Sequence, residues 1–270
     1  MTNTQRSLCL VTGANTGIGF EIARGLAQAG AQVVMACRNQ AKGEAARDAI
    51  ANEFKDSAPE LLIVDLASQR SIRDAAHQSV AKHSHLDVLV NNAGTAVPER
   101  QVSPDGIELT FATNALAYHL LTKLLLDLLR KAPAGRVVNV ASAMAAGLDL
   151  NDVEFKRRPY TAAAAYAQSK QANRMLTWAL AKRLEGSTVT ANAMTPGAVD
   201  TPLLHALAPK YQGRSTAKGA DTVIWLATSD EVAGINGRYW SDRTEQPCEF
   251  EDDDDEEPLW ELCESMSASG

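Results

Sequence analysis

Cysteine is scarce: Cys9, Cys37, Cys248 and Cys263 are scattered through 270 residues, with no Cys-x-x-Cys pair and no metal-like spacing to the five histidines. This excludes a disulfide framework and a zinc site, and the expected setting is a reducing, cytoplasmic one. Long hydrophobic runs are also missing. No run approaches the roughly 18 to 20 apolar residues a membrane span requires, and Met1 to Ser7 is too short and polar for a signal peptide. The expectation is an unexported chain with no membrane anchor. A basic patch is absent as well: eight carboxylates between Glu249 and Glu257 outweigh the net charge of −7, leaving a body near +1. Such a body has no electrostatic footprint for nucleic acid or anionic lipid.

What is present belongs to a packed globular chain, with 45% apolar and 22% charged residues at a length ordinary for one α/β domain. Apolar runs of strand length, at 7–12, 32–36, 61–64, 86–90, 136–140, 188–193 and 237–240, alternate with stretches of helical period. Helices are expected at 17–29, 40–54, 71–83, 106–130, 162–184 and 218–228, with a short one at 203–207 inside a proline-containing loop. This alternation is the signature of βαβ units, hence of a doubly wound parallel α/β sheet of about seven strands with helices on both faces. The expected division is a catalytic domain over 1–245 and an acidic tail over 246–270, which carries a short amphipathic segment, Leu259-Trp260-Glu261-Leu262.

The first strand turns into the first helix through Gly13-Ala14-Asn15-Thr16-Gly17-Ile18-Gly19. There the glycines let backbone approach a pyrophosphate at a helix N-terminus. The second strand ends at Ala36-Cys37-Arg38, with no carboxylate to hold a ribose 2′-hydroxyl. Arg38 can meet a 2′-phosphate with its forked donors, which favours NADP(H) over NAD(H); the alternative is a solvated arginine at a helix start. Asp65, with Leu66 beside it, follows the third strand and is a candidate adenine contact or an N-cap. Tyr166 and Lys170 are four apart in a helical stretch and share a face, where an ammonium would lower the tyrosine pKa. Ser142 closes the fifth strand and can enter the same crevice, and Asn114 lies inside the long helix between strands four and five.

These residues together resemble the short-chain dehydrogenase/reductase family, in its compact single-domain branch. Thr12 to Gly19 is similar to its Thr-Gly-x-x-x-Gly-x-Gly motif, Asn91-Asn92-Ala93-Gly94 to its Asn-Asn-Ala-Gly, and Asn114, Ser142, Tyr166 and Lys170 to its catalytic tetrad. Pro196, Gly197, Val199 and Thr201 fall where its nicotinamide-contacting loop lies. Gly13 to Gly19, Ala36-Cys37-Arg38, Arg157-Arg158-Pro159-Tyr160 and Leu259 to Leu262 resemble the retinol dehydrogenase and WW-domain-oxidoreductase-like group. The resemblance implies a Rossmann-like fold and hydride transfer between a nicotinamide and a carbonyl or alcohol. In that scheme Ser142 bonds the substrate oxygen, Tyr166 passes the proton, Lys170 binds the ribose and lowers the Tyr166 pKa, and Asn114 holds a relay water. Asn92, Ala93 and Gly94 would border the cofactor.

Val97, Met144, Leu148, Leu203 and Leu204 are expected around the substrate, which points to an apolar ketone, aldehyde or alcohol. Arg157 and Arg158 lie nearby in sequence. The acidic run reads as a solvated linker, with a partner-binding tail as the sharper alternative. That alternative belongs to a second function class, a cofactor-sensing binding protein that recruits a partner through the tail. Leu116, Leu120, Leu121, Leu124 and Leu125, with Trp178, exceed one apolar helix face and suggest a homo-oligomer.

Overall fold

A computed structural model describes residues 6–251 and 254–268. In chain order the elements are β1 (Leu8–Thr12), α1 (Gly17–Gln28), β2 (Gln32–Cys37), α2 (Gln40–Glu53), β3 (Glu60–Ile63), α3 (Gln69–Lys82), β4 (Val88–Asn91) and α4 (Leu109–Phe111). They continue with α5 (Ala117–Arg130), β5 (Arg136–Val140), α6 (Ala162–Arg183), β6 (Thr190–Thr195), α7 (Pro202–Leu207), α8 (Thr216–Thr228), β7 (Tyr239–Ser241), β8 (Thr244–Gln246) and α9 (Glu256–Ala268).

The strands are apolar along their length because both faces of the sheet are covered. Cys9 and Val11 of β1 point toward Ile22 and Leu26 of α1 and Val223 and Leu226 of α8, in one buried cluster. Leu8 and Leu10 point the other way, into a cluster with Ile72 of α3 and Leu120, Leu121 and Leu125 of α5. The order is β3-β2-β1-β4-β5-β6-β7-β8, and every neighbouring pair is parallel except β7–β8. Successive connections run outward in opposite directions from β1 and β4, so a crevice opens at the carboxyl ends of those two strands.

The eighth strand departs from the expected seven. Its hairpin turn places Asp242 and Arg243 at φ of 48° and 59°, a conformation usually signalled by glycine or asparagine, and its three residues are polar. The expected helix over 106–130 starts later. Gly106 has φ of 78°, and the Glu108 carboxylate caps the helix by accepting from the N–H of Thr110 at 2.8 Å and of Phe111 at 2.6 Å. A π-helical turn, Ala112–Leu116, then separates α4 from α5 and contains Asn114.

Of the leucines expected at a subunit interface, all but the half-buried Leu124 lie inside this chain. Leu120, Leu121 and Leu125 pack against the sheet, and Leu116 shares a cluster with Leu259 and Cys263 of α9. Trp178 is buried with Tyr239 and Cys248. The expectation of a second subunit therefore loses the apolar face on which it rested.

The amphipathic segment is part of a 13-residue helix, α9, docked on α5 and α6. Trp260 meets His119 edge-on at 4.5 Å between ring centres, with the Arg183 guanidinium 4.1 Å from the indole centre. Glu264 pairs with His119 at 3.1 Å and with Lys123. Nor is the acidic run a free linker where it is described: Glu249 pairs with Arg174, Glu251 with Arg238, Glu256 with Lys182 and Glu257 with Arg183. Asp252 and Asp253 lie outside the described residues. Among the described residues no helix is long and apolar enough to cross a membrane, and all four cysteines are buried free thiols.

If α9 is an integral part of the core, truncating its fully buried Leu259 is costly. Leu259→Ala is expected to lower the unfolding free energy by about 3 kcal/mol. Urea denaturation checks this, and a change below about 1 kcal/mol would show that the helix is peripheral to the fold.

Candidate active site

The loops leaving β1, β4, β5 and β6 line one cleft of about 960 Å³. At its floor, Gly13 has φ of 67°, and a β-carbon there would sit 3.0 Å from Ala93. A β-carbon on Gly19 would collide with the Gly13 carbonyl oxygen and the Asn92 amide. The chain thus has room for backbone alone at this corner. The Thr16 side chain, at the start of α1, makes no capping bond, whereas Asn39, Ser68, Thr161, Thr201 and Ser215 cap α2, α3, α6, α7 and α8. The first amides of α1 are left for an anion, and a dinucleotide diphosphate fits between Asn15, Thr16, Gly17 and Ile18.

Thr12 closes the base of this corner. Its Oγ1 accepts from the N–H of Asn92 at 2.8 Å and of Ala93 at 3.0 Å, while the Asn92 side chain donates to the Thr12 carbonyl at 2.8 Å. Asn92, Ala93 and Gly94 are thereby held along the cleft wall.

Arg38 leaves β2 exposed on the cleft rim, and Lys42 stands one turn further on α2. Neither makes an ion pair among the described residues, so both cations are available to an anion at this end. Lys42 escaped the sequence reading; its signal is the spacing of four from Arg38 across a helix start. Asp65 and Leu66 line the same end. The Asp65 carboxylate accepts from the N–H of Ala67 at 3.0 Å, tightening its own turn, and Ser68 rather than Asp65 caps α3.

At the other end α6 crosses behind β5. Ser142 sits two residues beyond that strand, its hydroxyl accepting from the N–H of Met144 at 3.0 Å and facing Tyr166 closely enough to lower its pKa. The Lys170 ammonium is buried, donates to the Val140 carbonyl at 2.7 Å, and lies 5.7 Å from the centre of the Tyr166 ring. Burial drives the Lys170 pKa down to about 7 and the Tyr166 pKa up to about 12, the latter opposed by the Ser142 hydroxyl. Desolvation of the phenolate, rather than the lowering expected from Lys170, dominates at Tyr166. At neutral pH Tyr166 holds its proton, next to an ammonium that can lose its own.

Among the residues expected to act on the cofactor or in catalysis, Asn114 alone stands outside the cleft lining. It is fully buried; its amide donates to the Thr95 carbonyl at 2.9 Å and to Ser169 Oγ at 3.0 Å, and its carbonyl accepts from the N–H of Thr95 at 2.8 Å. Both amide hydrogens are committed to protein. What it does is anchor Thr95, next to Gly94.

Pro196, Gly197, Val199 and Thr201 line the cleft between these two ends. The apolar part of the cleft wall is formed by Leu109, Met144, Leu203, Leu204, Leu207 and Tyr211. Leu109 and Tyr211 were not anticipated, since nothing in their local sequence separates cleft lining from lid packing. Val97 and Leu148 are absent from the wall: Leu148 packs into the cluster under α4, and Val97 accepts a bond from the Tyr160 hydroxyl through its carbonyl. Arg157 and Arg158 are also absent. Arg158 is engaged with Asp149, Asp152 and Gln168, and Arg157 with the Asn151 carbonyl.

A family model described as short chain dehydrogenase matches residues 7–212. Retinol dehydrogenase 12 of Mus musculus is 38% identical over 245 residues, covering 86% of this chain and 77% of that protein. Retinol dehydrogenase 14 of Homo sapiens is 36% identical over 287 residues, covering 95% and 85%. Among solved structures, an uncharacterised protein from Mycobacterium Paratuberculosis superposes with a TM-score of 0.80 at 32% identity, over 98% of this chain and 94% of that one. A short chain dehydrogenase from Escherichia coli, crystallised with NADPH, gives 0.74 at 26% identity, over 88% and 97%.

Since burial lowers the Lys170 pKa to about 7, the folded chain binds fewer protons than the unfolded one between that pH and the ordinary lysine value. Wild-type stability therefore rises with pH across this window. Lys170→Met, which removes the titrating group, should melt above the wild type near about pH 6, with the gap narrowing toward about pH 10. Thermal melts across that range check this, and a gap independent of pH would contradict the buried ammonium.

Proposed function

Since the chain belongs to the short-chain dehydrogenase family, we propose that it interconverts an apolar ketone or aldehyde and its alcohol, using NADP(H) in preference to NAD(H). The observation that carries this reading is the meeting of Ser142, Tyr166 and Lys170 in one cleft, opposite a glycine corner and an uncapped helix start. A bound nicotinamide dinucleotide supplies the hydride donor or acceptor.

The protein's own residues do the rest. The first amides of α1 hold the diphosphate, and Arg38 and Lys42 grip a 2′-phosphate, where a carboxylate would repel it. Ser142 donates to the substrate oxygen and keeps it beside Tyr166. With its pKa near 12, Tyr166 is protonated at neutral pH and gives its hydroxyl proton to the oxygen that becomes the alcohol. In the reverse direction it takes that proton, so oxidation gains with rising pH. Lys170, fixed on the Val140 carbonyl, places a positive charge beside the phenol and reaches toward the ribose.

The apolar substrate follows from the wall. Leu109, Met144, Leu203, Leu204 and Leu207 surround the reaction end, and the cations of the lining, Arg38, Lys42 and Lys170, are all taken by the cofactor half. No arginine faces the substrate to bind a carboxylate. The reading as a cofactor sensor with a recruiting tail gains no support, because Glu249, Glu251 and Glu257 already pair within the chain.

Tyr166→Phe is expected to cut NADPH-dependent reduction of apolar aldehydes by about 1,000-fold while leaving NADPH binding unchanged. Arg38→Asp is expected to weaken NADPH by about tenfold or more relative to NADH. Steady-state rates and cofactor titrations check both. Full activity in Tyr166→Phe would remove the mechanism, and equal shifts for the two cofactors would remove the 2′-phosphate contact.

A further inference from the structure

One buried charge near the reaction end is not used by the chemistry above. Arg174 lies on α6, one turn beyond Lys170 and two beyond Tyr166, and is only 3% exposed. It does not line the cleft. Its Nη2 donates to the Ser142 carbonyl at 2.6 Å and to the Tyr239 hydroxyl at 2.6 Å, and the guanidinium lies 4.0 Å from the centre of the Tyr239 ring.

The spacing explains why two cations of one helix can serve one strand end. Residues four apart on a helix are separated by about 6 Å along its axis, and carbonyls two apart on an extended strand by about 6.6 Å, pointing the same way. Lys170 and Arg174 thus reach the carbonyls of Val140 and Ser142 as a matched pair. The contact continues sideways. Tyr239 of β7 pairs with Ala193 of the adjoining β6, whose last residue, Thr195, accepts through Oγ1 from the N–H of Ala143 at 3.0 Å and of Gly197 at 3.2 Å. Arg174 therefore holds the backbone on which Ser142 sits and couples it to the loop at Gly197.

The remaining side of the guanidinium is closed by the start of the tail. Glu249 stands 3.8 Å from Nη1, Cys248 Sγ 3.9 Å from it, and the Phe250 ring centre 5.5 Å from the guanidinium carbon. An arginine cannot neutralise itself when buried, so its place must be secured by such oxygen and carboxylate partners.

We propose that Arg174 is a positioning residue: it sets the Ser142 backbone so that the hydroxyl stays beside Tyr166, and residues 248–250 hold Arg174 in place. The proposal rests on Ser142 and Tyr166 acting as described above. The acidic tail thereby has a task inside its own subunit, with Glu249 as a carboxylate that reaches the reaction end through one intervening side chain.

The test compares Arg174→Met, Arg174→Lys and Glu249→Gln with the wild type and with Tyr166→Phe. It uses an apolar aldehyde with NADPH, and the corresponding alcohol with NADP⁺ across a pH series. In Arg174→Met, kcat should fall about tenfold with NADPH affinity unchanged. Its oxidation profile should move to higher pH by about 0.5 or more, because the Ser142 hydroxyl, which lowers the Tyr166 pKa, is no longer held in place. Arg174→Lys, which keeps the charge and one donor, should recover part of the loss. Glu249→Gln, at an exposed side chain whose replacement leaves the fold intact, should move both readouts the same way by less. If Arg174→Met fails to fold, Arg174→Lys and Glu249→Gln decide the question alone. Wild-type pH profiles in the folded variants would overturn the proposal even if kcat fell, since a merely structural loss leaves the profile in place. Activity retained in Tyr166→Phe would instead strike the underlying mechanism.

Discussion

Two cations of α6 are buried against the carbonyl oxygens at the end of β5, Lys170 on Val140 and Arg174 on Ser142, and the reaction end of the cleft is organised by this contact. Burying an ammonium or a guanidinium is unfavourable unless oxygen atoms replace the water it loses. The carboxyl end of a parallel strand supplies them, because its last carbonyls leave the ladder and point out of the sheet. Once the two cations are docked, Tyr166 on the same helix face is brought to Ser142, and its environment becomes dry enough to raise its pKa to about 12. The desolvation that makes Lys170 costly is thus the same desolvation that keeps Tyr166 a proton donor at neutral pH.

The rest of the fold supports that arrangement from both sides. On the inner side, Asn92 and Thr12 lock β4 to β1, and Asn114 anchors Thr95 and faces Ser169 of α6. On the outer side, α9 covers α5 and α6 with Leu259, Trp260 and Cys263, and residues 248–250 close over Arg174. The C-terminal segment is therefore more than a spacer where it is described, although most of its carboxylates remain exposed. It completes the packing of the helix that carries the reaction residues.

Much of this was legible in the sequence, because the alternation of apolar strands and periodic helices follows directly from a sheet buried on both faces. The glycine turn, Arg38, Ser142, Tyr166 and Lys170 all reach the cleft because each sits at a strand end or on the α6 face, which local spacing reports. What escaped had no local signal. β8 is three polar residues after a turn without glycine, and its pairing is determined by β7. The carboxylates of the tail read as solvated because their partners, Arg174, Lys182, Arg183 and Arg238, come from distant elements. Leu120, Leu121 and Leu125 read as a surplus face because the sheet residues and α3 that bury them are not adjacent in sequence, and Leu116 because its cover, α9, lies more than a hundred residues further along the chain. Asn114 was found by pattern, but its neighbours, which decide what its amide can do, were not.

The most direct test of the account follows the hydride rather than the rate. NADPH carrying deuterium at the transferring C4 position is incubated with the protein and an apolar aldehyde, and the alcohol is analysed by mass spectrometry. The account predicts one deuterium on the carbinol carbon of the product, delivered to one face of the carbonyl. Tight binding of the labelled cofactor with no deuterium in any alcohol formed from such aldehydes would contradict it.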